Sequence, residues 1–356
     1  MAKRVLMMAG GTGGHVFPAL ACAAEFQKRG YEVHWLGTPR GIENELIPAA
    51  GIELHRIDIS GLRGKGALSL FKAPWNIVRA VFQARRILKK LKPVCVVGMG
   101  GFVTGPGGLA ARIQGTPLVI HEQNAVAGTA NRLLAPIANV VCEGFPSTFP
   151  ASRKRRNTGN PVRESLFLTG PRDDLVGRRP RLLVLGGSLG AEPINKLVPA
   201  ALALLPVDQR PEVLHQAGRQ HDSLTRERYD QLQLEARVEP FIADMAAAYS
   251  WADMVLCRAG ALTISELAAA GLPAFLIPLP HAIDDHQRRN AEFLAQDGAA
   301  VLLPQATTDA AVLAGQISEV MMHPQTLIAM GEAARRLSRP HATQEVVDLC
   351  VEVAHG

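Results

Sequence analysis

Residues suited to binding a phosphate lie close to the start of the chain, in the stretch Gly10–His15. It follows an apolar run that ends at Ala9 and precedes residues with helical spacing, so a strand, a turn and a helix N-terminus come in succession. Four glycines in five positions let backbone N–H groups approach an anion, and the histidine can exchange a proton near neutral pH. A tight turn with a surface histidine is the alternative; the number of glycines favours a phosphate site.

Two widely found phosphate motifs are excluded at this loop. The dinucleotide fingerprint G-x-G-x-x-G, counted from Gly11, continues to Gly13 but then meets Val16. The G-K-[ST] ending of a P-loop occurs nowhere in the chain. The loop therefore fits a phosphate group but neither the NAD nor the P-loop class of site.

The composition is typical of an α/β protein with many turns. Of 356 residues, 47% are hydrophobic, and 33 are glycine and 24 proline. The five cysteines have no C-x-x-C spacing, which argues against a zinc site or a disulfide framework and favours a reducing cytoplasm. Lys3 and Arg4 precede an apolar run of strand length only, so no signal peptide is predicted.

Short apolar runs alternate with helical patterns in the first half, which predicts a parallel sheet with helices on both faces. The predicted strands are 4–9, 32–37, 52–57, 94–98, 117–121 and 139–143. Two more polar or glycine-rich segments, Gly98–Gly108 and His121–Asn124, follow strands of this half. Because ligands bind beyond the carboxyl ends of parallel strands, three such segments at one sheet edge indicate a binding site.

The second half repeats this pattern, beginning with an apolar strand at 182–185 and the loop Gly186–Gly190. Further strands are predicted at 212–216, 253–257, 274–277 and 299–303, and helices around 193–204, 261–270, 285–296 and 308–321. We therefore predict an α/β protein of two doubly wound, Rossmann-like domains that face each other across a deep cleft.

The passage between the domains is predicted in the basic run 153–156 and the polar stretch 171–180. A nucleic-acid arm is the alternative for the basic run, but it has no interleaved aromatic residues. The domains are accordingly placed at 1–160 and 161–340, and a C-terminal helix over 341–356 is expected to pack back on the first.

The segment Arg258–Glu266 carries the chemistry of the second half. It follows a predicted strand and opens a helix, whose first amides, at Ala261 and Leu262, can hold a phosphate beside the charge of the arginine. The glutamate is placed to accept hydrogen bonds from a ribose diol. Helix capping by a hydroxyl side chain of the same segment is the alternative.

Sugar recognition is predicted at the dense polar run His281–Asn290, where amides and carboxylates can pair with hydroxyl groups. No D-x-D spacing occurs in the chain. A divalent metal bridging a nucleotide diphosphate is therefore not predicted, and the helix terminus with Arg258 has to neutralise the leaving group.

Together these stretches resemble the MurG family of glycosyltransferases. The matching segments extend over nearly the whole chain: Gly10–His15, Gly98–Gly108, His121–Asn124, Gly159–Arg163, Gly186–Ser188, Arg258–Glu266 and His286–Gln287 with Asn290. The resemblance implies a GT-B fold and an inverting, metal-independent reaction without a cofactor. In that reaction N-acetylglucosamine passes from UDP-N-acetylglucosamine to the muramyl 4-hydroxyl of lipid I, undecaprenyl-pyrophosphoryl-MurNAc-pentapeptide, giving lipid II and UDP for peptidoglycan synthesis.

The resemblance also implies which residues hold each substrate. Donor binding would involve Thr12, Gly13, Gly14, Asn124, Arg163, Ser188, Ile242, Arg258, Ala261, Leu262, Thr263, Ile264, Ser265, Glu266, His286 and Gln287. The acceptor pyrophosphate would be held by Gly11, Gly13, Gly14, Gly100, Gly101, Thr104 and Gly105. Within the donor set, uracil would lie near Ile242, ribose at Glu266, and the diphosphate between Ser188 and the helix end at Ala261.

Two residues are candidates for the catalytic base that takes the proton of the acceptor hydroxyl, His15 and Glu122. The histidine is the only group of the glycine-rich segments that titrates near neutral pH. A carboxylate in a partly dry site can have its pKa raised into a useful range. Position favours His15, and the choice stays open.

A local excess of positive charge predicts a membrane-binding face. Between Ile59 and Ile120 there are ten Lys and Arg residues and no Asp or Glu, whereas the whole chain has a net charge of only +6. The alternative is a helix with its apolar residues in the core and a solvated charged face. The predicted apolar anchors, flanked by these Arg and Lys residues, are Leu70, Phe71, Trp75 and Phe82.

Two other functions stay open: a GT-B enzyme with a soluble acceptor, and a nonenzymatic nucleotide-sugar sensor. The basic face argues against the first, and His15 with the second glycine loop argues against the second. The expected partners are the two substrates, an anionic membrane surface and other cell-wall or division proteins, with no nucleic acid. The implied location is peripheral, on the cytoplasmic face of the inner membrane.

Overall fold

The computed structural model describes residues 3–60, 67–168, 178–187, 190–280 and 282–355, with side chains for all of these except 67–72, 168 and 283. The chain forms two compact units. The first comprises the chain up to Val162 together with the residues from His341 onward. The second extends from Arg163 to Pro340.

The first unit is built on one parallel sheet. Its elements are β1 (Arg4–Met8), α1 (Gly13–Lys28), β2 (Glu32–Gly37), α2 (Glu43–Ala49), β3 (Glu53–Arg56), α3 (Ala67–Leu91), β4 (Cys95–Gly98), α4 (Thr104–Ile113), β5 (Leu118–Glu122), α5 (Thr129–Leu134), β6 (Val140–Glu143) and β7 (Arg155–Asn157). The described strands lie in the order β3-β2-β1-β4-β5-β6-β7. The order reverses between β1 and β4, which is where sheets of this kind bind their ligands.

The second unit repeats the architecture. Its elements are β8 (Arg181–Leu185), α6 (Glu192–Ala203), β9 (Glu212–Gln216), α7 (Asp222–Gln231), β10 (Arg237–Glu239), α8 (Met245–Trp251), β11 (Met254–Cys257), α9 (Ala261–Ala270), β12 (Ala274–Leu276), α10 (His286–Ala295), β13 (Ala300–Leu302), α11 (Ala310–Met322) and α12 (Pro324–Arg336). The strand order over its described residues is β10-β9-β8-β11-β12-β13, so the reversal falls between β8 and β11.

The last helix, α13 (Ala342–His355), belongs to the first unit. It packs on α1, and Val346, Val347 and Cys350 lie in the same buried cluster as alternate residues of β1. The opposite face of the first sheet is covered by α3 and α4. The central strands are buried on both faces, which explains their continuous apolar runs.

The predicted α/β fold with two doubly wound, Rossmann-like units is confirmed, and each predicted strand is found within about two residues. One interpretation was wrong: the basic run 153–156 is not a solvated linker, because Arg155–Asn157 form the edge strand β7 beside β6. Strand β10 and the helices α7, α8 and α12 were also missed. Both missed strands have only three residues and carry charged side chains, so no apolar run marked them.

Candidate functional site

Two glycine loops are in contact at the reversal point of the first sheet, one after β1 and one after β4. Gly100 and Gly101 have φ angles of 101° and 84°, in the left-handed region that favours glycine. A Cβ atom on Gly101 would lie 2.5 Å from the carbonyl oxygen of Gly10. Glycine is therefore required for the second loop to lie directly against the first.

His15 lies in the first turn of α1, with its ring against the second loop. A Cβ atom on Gly100 would be 2.5 Å from Cδ2 of the ring, and the ring also hydrogen-bonds the backbone of Gly10. Burial lowers the pKa of His15, and the negative charge of Glu122 opposes that effect. The imidazole is therefore neutral at pH 7 and able to accept a proton.

Glu122, the other candidate base, ends β5 and is buried. Its carboxylate accepts hydrogen bonds from the backbone N–H groups of Asn124 (3.1 Å) and Gly128 (2.9 Å) and from the side-chain amides of Asn124 (3.2 Å) and Asn131 (2.9 Å). Four hydrogen bonds occupy its oxygens and hold the loop that follows the strand. This arrangement suits an anchor better than a proton acceptor.

The neighbouring histidine, His121, is buried and has a structural role. Its Nε2 lies 2.9 Å from the carbonyl oxygen of Gly159, and its Nδ1 lies 3.1 Å from Nε2 of Gln123. Burial lowers its pKa, so it is neutral. It joins β5 to the segment after β7.

Glu43, which the sequence analysis did not single out, fixes the first glycine loop. This buried carboxylate accepts hydrogen bonds from the amide of Gly11 at 3.0 Å and from the amide and hydroxyl of Thr38 at 3.1 and 2.8 Å. The N–H of Gly11, predicted to face the acceptor pyrophosphate, has an internal partner. The next amides, at Gly13 and Gly14, begin α1 without a side-chain cap from Thr12.

The other predicted acceptor residues lie where the second loop enters α4. Thr104 is buried, and its hydroxyl donates to the carbonyl oxygen of Gly100 at 2.8 Å, so it holds the loop. Gly105 has open space around it, since a Cβ atom there would meet no atom within 4 Å.

In the second unit the loops that follow β8 and β11 also lie at the point where the strand order of the sheet reverses. The β8 loop includes Gly186, while Ser188, the predicted diphosphate contact, lies outside the described residues. The β11 loop leads from Arg258 to Gly260 and opens α9. Asn290, buried on α10, donates to the carbonyl oxygen of Ala259 at 3.1 Å and so fixes this loop.

The N-terminus of α9 keeps its amides available. Ser265, a hydroxyl residue of the alternative in which a side chain caps this helix, donates instead to the carbonyl oxygen of Ala261 within the helix, at 3.1 Å. No described side chain accepts a hydrogen bond from the amides of Ala261, Leu262 or Thr263. The first turn therefore presents partial positive charge, as a phosphate site requires. Ile264, further along, is buried against the core.

Arg258 adds a full positive charge beside that helix end. Its guanidinium donates to the carbonyl oxygens of Ile277 (3.0 Å) and Pro278 (3.1 Å) and to Oε1 of Gln305 (2.7 Å). None of the carboxylates in the described parts of the chain forms an ion pair with it. The guanidinium is half-buried, and this burial lowers its pKa. A fixed, half-buried cation of this kind is suited to an anionic ligand.

A cavity of about 470 Å³ opens beside Arg258 at the carboxyl ends of the strands. Gln287 also lines it, and its Oε1 accepts a hydrogen bond from the amide of Leu279 at 2.9 Å. The remaining lining residues are Gly186, Gly190, Ala191, Glu192, Pro193, Leu279, Pro280 and Gln305. The volume is within the range of small-molecule sites.

Glu266, the predicted ribose acceptor, lies in the second turn of α9. Tyr249 of α8, which the sequence analysis missed, donates its hydroxyl to Oε2 at 3.0 Å. Burial raises the pKa of Glu266, whereas this hydrogen bond and the charge of Arg163 oppose the rise. Arg163, a predicted donor contact, therefore stabilises the ionised form of Glu266.

The remaining predicted donor residues lie at the ends of other elements. Ile242 is half-buried in the loop after β10, and His286 begins α10 after Asp284 and Asp285, which both have a φ of 54°. Asn124 and Thr12 lie in the first unit, in the loops after β5 and β1.

Comparison with known proteins identifies the family. The N-terminal domain of glycosyltransferase family 28 matches residues 5–142, and its C-terminal domain matches residues 181–346. The chain belongs to glycosyltransferase family 28.

Close relatives are known from several bacteria. A protein of Stutzerimonas stutzeri (strain A1501) is 72% identical over the full length of both chains, and one of Ectopseudomonas mendocina (strain ymp) is 70% identical over the full length of both. Both are named UDP-N-acetylglucosamine--N-acetylmuramyl-(pentapeptide) pyrophosphoryl-undecaprenol N-acetylglucosamine transferase.

Solved structures share the fold. The crystal structure of Acinetobacter baumannii MurG is 46% identical, covers 98% of this chain and 99% of that chain, and has a TM-score of 0.85. A glycosyltransferase of kitacinnamycin, 17% identical with a TM-score of 0.75, covers 99% of this chain and 100% of that one, and shows the likeness of the fold alone. The predicted GT-B fold is thus confirmed.

Proposed function

We propose that this protein transfers N-acetylglucosamine from UDP-N-acetylglucosamine to the muramyl 4-hydroxyl of undecaprenyl-pyrophosphoryl-MurNAc-pentapeptide, with inversion at the anomeric carbon. The names of relatives up to 72% identical over the full chain support this assignment. The observation that carries it in the structure is the pairing of the uncapped α9 N-terminus with Arg258, a half-buried cation without a described carboxylate partner.

The second unit binds the donor in this proposal. The amides of Ala261 and Leu262 and the guanidinium of Arg258 neutralise the diphosphate, and so stabilise UDP as it departs. Glu266 accepts hydrogen bonds from the ribose hydroxyls through the oxygen that Tyr249 does not occupy. Gln287 and His286, at the start of α10, are assigned to the sugar.

The first unit binds the acceptor and supplies the base. The amides of Gly13 and Gly14 at the α1 N-terminus face the acceptor pyrophosphate. His15 takes the proton of the 4-hydroxyl while that oxygen bonds to the anomeric carbon and the bond from this carbon to the UDP oxygen breaks. Its lowered pKa keeps it unprotonated at pH 7, and the carboxylate of Glu122 stabilises the imidazolium that forms.

A membrane-docking role for α3 belongs to the same proposal. Trp75, Val78 and Phe82 follow one another at helical spacing on the solvent side, exposed by 72%, 45% and 56%, and Arg85 and Lys89 continue the stripe. The core side of the helix carries Ala73, Ala80, Ala84 and Leu88 instead. Within the described residues no helix is both long and apolar enough to span a membrane. Apolar anchors next to a basic segment suit reversible binding to an anionic surface.

Two of the four predicted anchors have no described side chains. Leu70 and Phe71 lie in the first part of α3, where only the backbone is described. The proposal therefore depends on Trp75 and Phe82.

The test is a transfer assay with radiolabelled UDP-N-acetylglucosamine, run with and without a lipid-pyrophosphate MurNAc acceptor. We expect labelled disaccharide-lipid and UDP in equal amounts only when the acceptor is present. Transfer to a soluble acceptor in preference to the lipid would favour another GT-B activity. Tight binding of the donor without turnover on any acceptor would favour a sensor and contradict the proposal.

A further inference from the structure

Three side chains with metal-binding atoms lie together at the edge of the first sheet, on β2 and β3. His34 and Glu53 are opposite each other in the parallel pairing of these strands, and His55 is two residues beyond Glu53. All three therefore project from the same face of the sheet. His34 is separated from Glu53 and His55 along the chain, so no spacing of a known metal motif revealed the cluster.

One ligand atom from each of these residues lies within 4.8 Å of those of the other two. Nε2 of His55 lies 3.3 Å from Nδ1 of His34. Oε2 of Glu53 lies 3.4 Å from the same Nδ1, and Oε1 of Glu53 lies 3.6 Å from the same Nε2. Ligands about 2.0–2.1 Å from a tetrahedral zinc ion are separated from one another by about 3.3–3.4 Å. The two histidine nitrogens already have this separation, and the exposed Glu53 side chain has an oxygen within 3.6 Å of each of them.

A fourth residue orients the inner histidine. Nε2 of His34 hydrogen-bonds Oε1 of Glu32 at 3.0 Å, so the ring proton lies on Nε2 and the lone pair of Nδ1 faces His55 and Glu53. Carboxylates hold zinc-binding histidines in this way. Without a cation, the Nε2–H group of His55 donates to this Nδ1 at 3.3 Å, and a bound metal ion would take the place of that proton.

The surroundings are compatible with a cation. The charged side chains that act on His55 are those of Glu53 and Lys90. Lys90 repels a cation, whereas Glu53 attracts one. Arg4 is already paired with Glu32 at 2.8 Å. His34 is only 5% exposed, and the Glu53 carboxylate is open to solvent, which gives an ion a path of entry.

We propose that His34, Glu53 and His55 bind one divalent transition-metal ion of the zinc class, with a fourth position open to water. Two imidazoles and one carboxylate suit Zn²⁺ better than Mg²⁺ or Ca²⁺, which prefer oxygen ligands. The ion ties β3, the edge strand, to β2, and it lies apart from the glycine loops that carry the transfer chemistry. Its role is to fix the sheet edge.

The test is a zinc titration of the full-length chain without a polyhistidine tag, after treatment with a chelator. Calorimetry should show one equivalent of bound Zn²⁺ and no binding of Mg²⁺. Co²⁺ in place of zinc should give the intense visible absorption of a tetrahedral complex. Thermal unfolding should shift to higher temperature with Zn²⁺, because the ion binds the folded chain.

Variants locate the site. Glu53→Gln and His55→Gln should abolish the Co²⁺ spectrum, and Glu32→Gln should weaken zinc binding about 10- to 100-fold by releasing His34. His323→Gln, at an exposed histidine of the second unit that makes no cap bond to α12, is the matched control and should bind zinc normally. Glu53 is exposed, so its variant tests the site without disturbing the core. No uptake by the unmodified chain, or normal uptake by Glu53→Gln and His55→Gln, would overturn the proposal.

Discussion

The hydroxyl of Tyr249 donates a hydrogen bond to Oε2 of Glu266 at 3.0 Å and thereby connects α8 to α9. Tyr249 is 1% exposed, and burial raises the pKa of its phenol well above the ordinary value of 10, so the phenol is a neutral donor near neutral pH. The bond fixes one carboxylate oxygen and leaves the other for a ligand. Tyr249 is thus a positioning residue for the proposed ribose contact.

We expect Glu266→Ala to weaken UDP binding by about 1–3 kcal/mol, roughly 5- to 150-fold, because it leaves the ribose hydroxyls without an acceptor. Tyr249→Phe should weaken it less, since the carboxylate remains but is free to turn. Calorimetric titration with UDP measures both. Tyr229→Phe is the matched control, a second buried tyrosine of the same unit that hydrogen-bonds His215. Unchanged UDP affinity in Glu266→Ala would contradict the assignment of Glu266 as the ribose contact.

The pH dependence of donor binding gives a separate test. Burial raises the pKa of Glu266 above its ordinary value of 4.5, and the carboxylate has to be ionised to accept two ribose hydrogen bonds. As the pH is lowered, the affinity for UDP-N-acetylglucosamine should therefore begin to fall early. The fall should occur at a higher pH than it would with an exposed glutamate at this position. In Tyr249→Phe the fall should begin at a still higher pH, because the lost hydrogen bond had lowered the pKa. Glu266→Gln should bind weakly without this pH dependence, and the same pH curve in that variant would contradict the explanation.

The strand ends that carry the site could be predicted because strand, glycine turn and helix follow one another locally. Gly10–His15 and Arg258–Glu266 both lie at the reversal points expected for such sheets. The roles of Glu43, Tyr249 and the cluster around His34 could not be predicted from the sequence, because each arises only when elements distant along the chain pack or pair. Gly11 shows the same limit: a glycine-rich pattern predicts available amides, but it does not show that a carboxylate occupies one of them.

His15→Ala should lower turnover by about 10²–10⁴-fold at saturating acceptor while leaving UDP affinity nearly unchanged, as expected for loss of a positioned base. The pKa of His15 is lowered by burial, so the acid limb of kcat/KM should lie below the ordinary histidine value of 6.5. Steady-state rates from pH 5 to 9 measure both effects. Near-normal turnover in His15→Ala would leave the histidine as a phosphate contact only.

Glu122→Gln distinguishes the rival base from an anchor. The amide replaces one acceptor oxygen by a donor, so at least one of the bonds from Gly128, Asn124 and Asn131 is lost, at a cost of about 1–3 kcal/mol in the free energy of unfolding. We expect a lower Tm and a fall in turnover smaller than that of His15→Ala. If turnover were lost at an unchanged Tm, while His15→Ala remained active, the carboxylate would be the base.

The second glycine loop should tolerate a methyl group at one position and not at another. Gly100→Ala places a Cβ atom on a residue in the left-handed region, 2.5 Å from Cδ2 of the His15 ring. Turnover should therefore fall, as expected for His15→Ala. Gly105→Ala meets no atom within 4 Å and has an ordinary helical position, so the Tm should hold or rise. A raised KM for the lipid acceptor with an unchanged Tm in Gly105→Ala would place the pyrophosphate at this amide. Equal activity of both variants and the unmodified chain would contradict the loop's role.

The exposed stripe of α3 leads to a prediction about membrane binding. A double variant, Trp75→Ser with Phe82→Ser, should bind vesicles that contain phosphatidylglycerol at least about tenfold more weakly, since each removed side chain buries apolar area worth about 1.5–3 kcal/mol on docking. Leu133→Ser is the control: this leucine of α5 is 73% exposed, as Trp75 is at 72%, but lies outside the stripe.

Binding should also fall as salt is raised, because Arg85 and Lys89 contribute about 1 kcal/mol each near an anionic surface. Co-sedimentation measures all three. Equal binding to neutral phosphatidylcholine vesicles would refute the electrostatic part, and an equal loss in Leu133→Ser would refute the assignment to α3.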